Sequence, residues 1–157
     1  MCAAYGAKDS GDARKALDLL LEAGDVARES GSDVVTESHV QEARERVQTD
    51  QVVEGIQNYS QHGKLVLYAL TRLHERGDTP VRTREVVETY RSVARSEGVS
   101  PVSERSVRDY LGELAQLGIT GVTEHNRGKD GGKYNEHQLE QSVSAVRSGL
   151  STLLESA

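Results

Sequence analysis

The 157-residue sequence predicts a mainly α-helical chain in two parts: a pair of short amphipathic helices over residues 1–55, then three helices, a β-hairpin and a last helix over residues 56–157. Two observations carry this expectation. Apolar residues recur at three- and four-residue steps in successive stretches, most of them opened by a Ser, Thr or Asp and closed by a glycine. After Gly118 the period changes to that of a strand, on both sides of the polar stretch NRGKDGG, whose glycines suit a hairpin.

From Asp12, the residues Ala13, Ala16, Leu17, Leu20, Gly24 and Ala27 form the expected inward face of the first helix, with Gly24 small enough to admit a close neighbour. SGSD ends it, and Thr36 is a good cap for a second helix striped by Val40, Ala43 and Val47. Residues 50–60 are a polar connector without proline, helical at first. The second part opens with KLVLYALTRLHERG, which turns Val66, Ala69, Leu70 and Leu73 to one side and stops at Gly77. DTPV is a short extended segment. Thr83 then caps a helix carrying Val86, Val87, Tyr90, Val93 and Ala94 up to Gly98, and Ser103 caps another with Val107, Tyr110, Leu111, Leu114 and Leu117 inward. ITGVTEH and KYNEHQL are the two strands. Leu139, Val143, Val146, Leu150 and Leu153 have the spacing of a closing helix that lies along a partner. Three helices followed by a hairpin is the order of a winged helix, a helix-turn-helix variant whose second and third helices form the motif.

A formal charge of -6 argues at first against a nucleic-acid partner. Its distribution reverses that: residues 1–55 hold 6 Lys+Arg against 12 Asp+Glu, and the remainder is balanced at 13 and 13, which leaves room for local basic patches. Arginine outnumbers lysine 14 to 5, and with the acidic excess this suits a salty cytoplasm. The single cysteine, Cys2, excludes an internal disulfide and a cysteine metal cluster. Without a long apolar run or a signal-peptide series, the chain is expected to be soluble and cytoplasmic, associated with the nucleoid and with no membrane partner.

On the helix after Ser103, the inward face leaves Arg105, Arg108 and Gly112 on the opposite side, near Ser106 and Asp109. An arginine fork meets the two acceptors of a guanine edge in the major groove, for about 1–3 kcal/mol of discrimination. The competing reading is a solvated face on which Arg105 pairs with Asp109. In the hairpin, Arg127, Lys129 and Lys133 surround Gly128, Gly131 and Gly132, placing positive charge on a tip that approaches a phosphate backbone or minor groove closely. An ordinary surface loop is the alternative. Arg82, Thr83 and Arg84 stand at a helix start, where backbone N–H groups favour an anion, with simple capping by Thr83 as the plainer account. His125 and His137 lack a second ligand at metal spacing and are taken as polar strand residues, and Tyr134 either shields the hairpin base or packs in the core, the commoner place for a tyrosine. GKDGGKY is not a phosphate loop: its glycines are one residue too close, tyrosine follows Lys133, and no helix begins there. With neither H-E-x-x-H nor G-x-S-x-G present, no catalytic residue and no metal ligand is assigned.

GDARKALDLLLEAG resembles the sensor-two helix in the lid of AAA+ ATPases. With HGKLVLYAL, YLGELAQLGITG and NRGKDGGKYNEH, nearly the whole chain resembles the carboxyl-terminal part of archaeal replication initiators of the origin-recognition and cell-division-control family, a haloarchaeal member by its character. The resemblance implies AAA+ lid helices over residues 1–55 and a winged-helix DNA-binding domain over 56–157. It also implies that Arg14 holds the sensor position, reaching the terminal phosphate of ATP on a nucleotide domain; on residues alone, Arg14 is an idle arginine loosely paired with Asp18. The phosphate loop and magnesium-binding strand are not in this sequence, so the chain is expected to be a fragment or a truncated reading frame starting at Met1, with no ATPase activity and no cofactor of its own; ATP and magnesium are implied for full-length members.

The expected function is binding of duplex origin DNA. Ser103, Arg105, Ser106 and Arg108 face the major groove, Arg127, Lys129 and Lys133 grip from the wing, and Thr83 and Arg84 hold the backbone. Two alternatives stand beside it: a module that docks replication partners such as the replicative helicase or other initiator subunits, and a transcription regulator that dimerises through its last helix.

Overall fold

The computed structural model describes residues 13–155. The chain divides into two compact units that part between Gln51 and Val52.

The first unit is built from α1 (Ala13–Glu29) and most of α2 (Glu37–Gln57). Its core is small: Leu19, Ala23 and Val26 of α1 against Val40 and Ala43 of α2. The inward face of α1 therefore differs from the expected one. Leu19, Ala23, Val26 and Ala27 are buried, whereas Leu17 and Leu20 are 61% and 48% exposed. The physical reason is that leucines stand around most of this helix, at 17, 19, 20 and 21, so spacing alone permits more than one face. Nor is Gly24 a point of close approach, since a Cβ there would meet nothing within 4 Å. Thr36 directly precedes α2, its Oγ1 paired with Ser38 Oγ and His39 Nδ1. Arg46 joins the two helices by donating to Glu29 and Glu42 at 2.8 and 2.9 Å, which holds the Glu29 carboxyl below its usual range. The expected connector is helical as far as Gln57, because no proline breaks α2 and its last turns carry Val52 and Ile56 into the core of the second unit.

In the second unit, α3 (Gln61–Glu75) is the central element. Leu65, Val66, Leu67, Ala69 and Leu70 have no exposed surface, so this helix is apolar nearly all round because it is covered nearly all round. Around it lie β1 (Val81–Arg82), α4 (Thr83–Ser96), α5 (Glu104–Gln116), β2 (Thr120–Asn126), β3 (Lys133–Leu139), α6 (Val143–Gly149) and α7 (Ser151–Glu155). Val86, Val87, Tyr90, Val93, Ala94, Val107, Leu111 and Leu114 are buried as the spacing predicts. Each large side chain among them contributes about 1.5–3 kcal/mol by burial. The Tyr90 hydroxyl keeps its hydrogen bonds inside this core, accepting from Val102 N at 3.0 Å and pairing with His62 Nδ1 at 2.9 Å.

Three details depart from the sequence reading. Leu117 is 57% exposed, because Gly118 adopts φ +72° and turns Ile119 inward in its place, where the Ile119 amide donates to Leu114 O. The sheet has three strands in the order β1-β3-β2, all neighbours antiparallel; the end of the DTPV segment pairs with β3 through Val81 and His137. A two-residue strand has no alternation to read. The closing helix is interrupted: Leu139 ends β3, Ser142 caps α6, and Gly149 sits where a Cβ would lie 2.6 Å from Ile56 Cβ, so the close approach of α6 to Ile56 requires glycine.

Candidate nucleic-acid interface

Ser103 starts α5 by accepting the Ser106 N–H at 3.2 Å, and the two hydroxyls lie 3.0 Å apart. With Val107, Leu111 and Leu114 buried beneath, Arg105, Arg108 and Gly112 face outward. The pairing on this face is not the one expected. Arg108 donates through Nη2 and Nε to Glu104 Oε1 at 2.6 and 3.2 Å, and this holds the Glu104 carboxyl below its usual range. Arg105 has no hydrogen bond or ion pair with Asp109 or any other described residue, so it is a cation with no internal partner among them.

The hairpin register sorts its side chains. Thr120↔Leu139, Val122↔His137, Glu124↔Asn135 and Asn126↔Lys133 share one face; Thr123, His125, Tyr134 and Glu136 share the other. The first face meets α5. Arg108, Leu111 and Gly112 line an open cleft of about 200 Å³ together with Val122, Asn135, His137 and Thr83. Arg108 of α5 and the inner face of the wing therefore front the same concavity. Lys133 belongs to that face by register and lies 3.8 Å from Glu124.

At the tip, Gly128–Asp130 form a 3₁₀ turn. Gly128 and Gly132 have φ of +72° and +66°, a region side-chain-bearing residues avoid, and Gly128 N donates to Asn126 Oδ1. Lys129 projects from this turn, exposed and without a partner among the described residues. Arg127 leans toward the outer face, 5.6 Å from the Tyr134 ring centre. Of the two readings of Tyr134, the core one fails and the hairpin one fits: its ring stacks on His125 at 4.9 Å and receives the Arg82 guanidinium at 4.1 Å, because its position in the register puts it on the face away from the helices.

The expected anion site at the start of α4 is not assembled. Arg82, not Thr83, is the cap residue, and its N–H donates to Glu85 Oε2 at 2.7 Å, so a carboxylate already occupies the helix end. Thr83 is 6% exposed, its Oγ1 2.9 Å from His137 Nε2 at the floor of the cleft. Arg84 stands apart on the exposed side, donating to Glu88 at 3.0 Å. His137 is the site residue that the sequence reading passed over. It is buried, and burial, followed by the Arg108 charge, pushes its pKa down, so it is neutral. Its position two residues before the buried Leu139 was the available signal.

Arg14 is exposed in the first turn of α1. The Gly11–Asp12 start and Cys2 lie outside the described residues. Among the described residues no helix is long and apolar enough to cross a membrane, and no group of three His, Cys, Asp or Glu could hold a metal.

The model of the Cdc6 AAA+ ATPase-type lid domain matches residues 1–45, and that of the CDC6 C terminal winged helix domain matches residues 54–148. ORC1-type DNA replication protein 11 of Haloarcula marismortui is 45% identical over 150 residues, 96% of this chain and 36% of that protein. The ORC1-type DNA replication protein of Thermococcus kodakarensis is 40% identical over 131 residues, 83% of this chain and 32% of its own. Among solved structures, the Aeropyrum pernix ORC1 protein in complex with DNA superposes with a TM-score of 0.79 at 37% identity, over 96% of this chain and 39% of that one. Drosophila ORC bound to DNA shares the fold, with a TM-score of 0.56 at 23% identity, over 95% of this chain and 37% of that one. The chain thus spans about a third of the length of the relatives it matches. By both matched segments and by these relatives, it belongs to the Cdc6 family of archaeal ORC1-type replication initiators, in the part that comprises the lid and the carboxyl-terminal winged helix.

Proposed function

We propose that this chain binds duplex origin DNA through its winged helix, with α5 in the major groove and the wing tip against the minor groove or backbone. The observation that carries this reading is the shared concavity of α5 and the inner hairpin face, rimmed by Arg108, with Arg105 and Lys129 as cations that have no internal partner among the described residues. In this reading Arg105 and Arg108 contact base edges, Lys129, Arg127 and Lys133 contact phosphates, and Ser103 and Ser106 offer hydroxyls at the α5 start. Thr83 supports the cleft from below, and Arg84 lies at its periphery. Anisotropy titrations of the chain with labelled duplexes across a salt series test it: log K should fall linearly with log salt, and absence of binding at low salt overturns it.

The chain carries out no ATP hydrolysis in this reading, since the matched segments are a lid and a winged helix. Arg14 shares a stripe of α1 with the exposed Leu17 and Leu21, at steps of three and four residues. That stripe is the surface on which a nucleotide domain of the longer relatives would rest, with Arg14 toward its ATP and magnesium. Helicase or initiator subunits are further partners under the same reading, and the place of action is the nucleoid.

A further inference from the structure

His137 is 4% exposed and in the second unit's cleft, yet one of its ring nitrogens is idle. Nε2 is 2.9 Å from Thr83 Oγ1, while Nδ1 is buried with no hydrogen-bond partner among the described residues. A buried polar atom left unpaired costs roughly 1–3 kcal/mol, so its retention calls for a use. Neutral imidazole carries one N–H and one acceptor. With the proton on Nε2 and donated to Thr83 Oγ1, Nδ1 is left as an acceptor without a donor, on a residue that lines the cleft.

The donor nearest in chemistry is Arg108, which lines the same cleft and whose charge acts on the His137 ring. That guanidinium is held to Glu104 on its own helix, with the side chain 56% exposed, and so has room to move. Its five N–H groups in a planar fork allow one to be anchored while two remain for a base edge. The cleft offers no carboxylate among its lining residues, so the acceptors available there are His137, Asn135 and Thr83.

We propose that His137 is a specificity-determining positioning residue: when duplex DNA draws Arg108 away from Glu104, the Arg108 guanidinium donates to His137 Nδ1, which fixes the plane of the fork toward a base edge. This rests on the DNA-binding reading above and adds a residue that touches no DNA itself.

The test uses the full chain, a duplex that the chain selects from a random-sequence pool, and a scrambled duplex of the same composition, at one ionic strength. Asn at position 137 keeps an acceptor where Nδ1 lies; Gln keeps the contact to Thr83 and removes that acceptor. His137→Gln should lower the ratio of selected to scrambled affinity about fivefold, and His137→Asn should stay within about twofold of the unaltered chain. In an Arg108→Ala background His137→Gln should have no further effect, an outcome that a merely structural role would not produce. Equal losses for Asn and Gln, or effects of His137→Gln and Arg108→Ala that multiply, overturn the proposal. Should either variant unfold, ¹⁵N imidazole spectra of the unaltered chain decide: His137 Nδ1 should resonate as unprotonated and shift on adding the selected duplex, and an Nδ1 that is protonated or does not shift overturns it. Failure of the unaltered chain to bind any duplex removes the DNA-binding reading and this proposal with it, whereas duplex binding with unchanged discrimination in His137→Gln removes this proposal alone.

Discussion

The two units of this chain solve the same problem with very different means. Among the described residues, the first packs a cluster of five buried side chains between two helices, two of them alanines, and leaves Leu17, Leu20 and Leu21 exposed. The second encloses twenty buried residues around a central helix and turns its polar equipment outward on one concave side. A core of that size can support a stable domain; a pair of helices meeting through Ala23 and Ala43 has little apolar area to offset chain entropy. The difference teaches that stability resides mainly in the second unit, which on the function proposed above is also the unit that contacts DNA.

Substitutions sharpen or break that contrast. The largest effect is expected from Leu111→Ala, which empties a fully packed position of the second unit and should cost about 2–5 kcal/mol in urea unfolding. Leu17→Gln in the first unit should change stability by no more than about 0.5 kcal/mol, and a comparable loss there would abolish the contrast. Arg108→Ala should remove about 1–3 kcal/mol of discrimination for a selected duplex over a random one; equal losses on both would exclude base readout by this residue. Acidification should come next. The pKa of His137 in the folded chain lies below its ordinary 6.5, so its contribution is fully present above that value and is lost as pH falls below it. His137→Gln should flatten this part of the stability profile, and an unchanged profile would place the titration elsewhere. Lys129→Ala has the smallest expected effect: it should weaken selected and random duplexes alike and reduce the salt slope by about 0.9, and an undiminished slope would take the wing tip out of the phosphate interface.

What was legible in the sequence follows from where a single physical signal dominates. In α4 the apolar residues lie on one stripe, and Val86, Tyr90 and Val93 are buried as read. In α1 leucines surround the helix, so the choice of face depended on α2, which spacing within α1 does not reveal. The wing strands were visible from a change of period and DTPV as an extended segment, but its pairing with β3 was not, because two residues cannot alternate. At the candidate interface, the exposure of Arg105, Arg108 and Lys129 was legible from the outward side of a helix and from a loop. The Arg108–Glu104 pair competes with a choice of neighbours at three and four residues that sequence leaves equal. Thr83 and His137, 54 positions apart, meet only through the pairing of β1 with β3, which no local pattern encodes.

The turn at the wing tip has a kinetic consequence. Its amides are already engaged: Arg127 N donates to Gly132 O, Gly132 N to Gly128 O, and Gly128 N to Asn126 Oδ1. If the wing meets a duplex as proposed above, a tip whose backbone is folded before encounter spares the search through loop conformations. On that reading the association rate should be governed by diffusion and charge, leaving residence time to the contacts of α5.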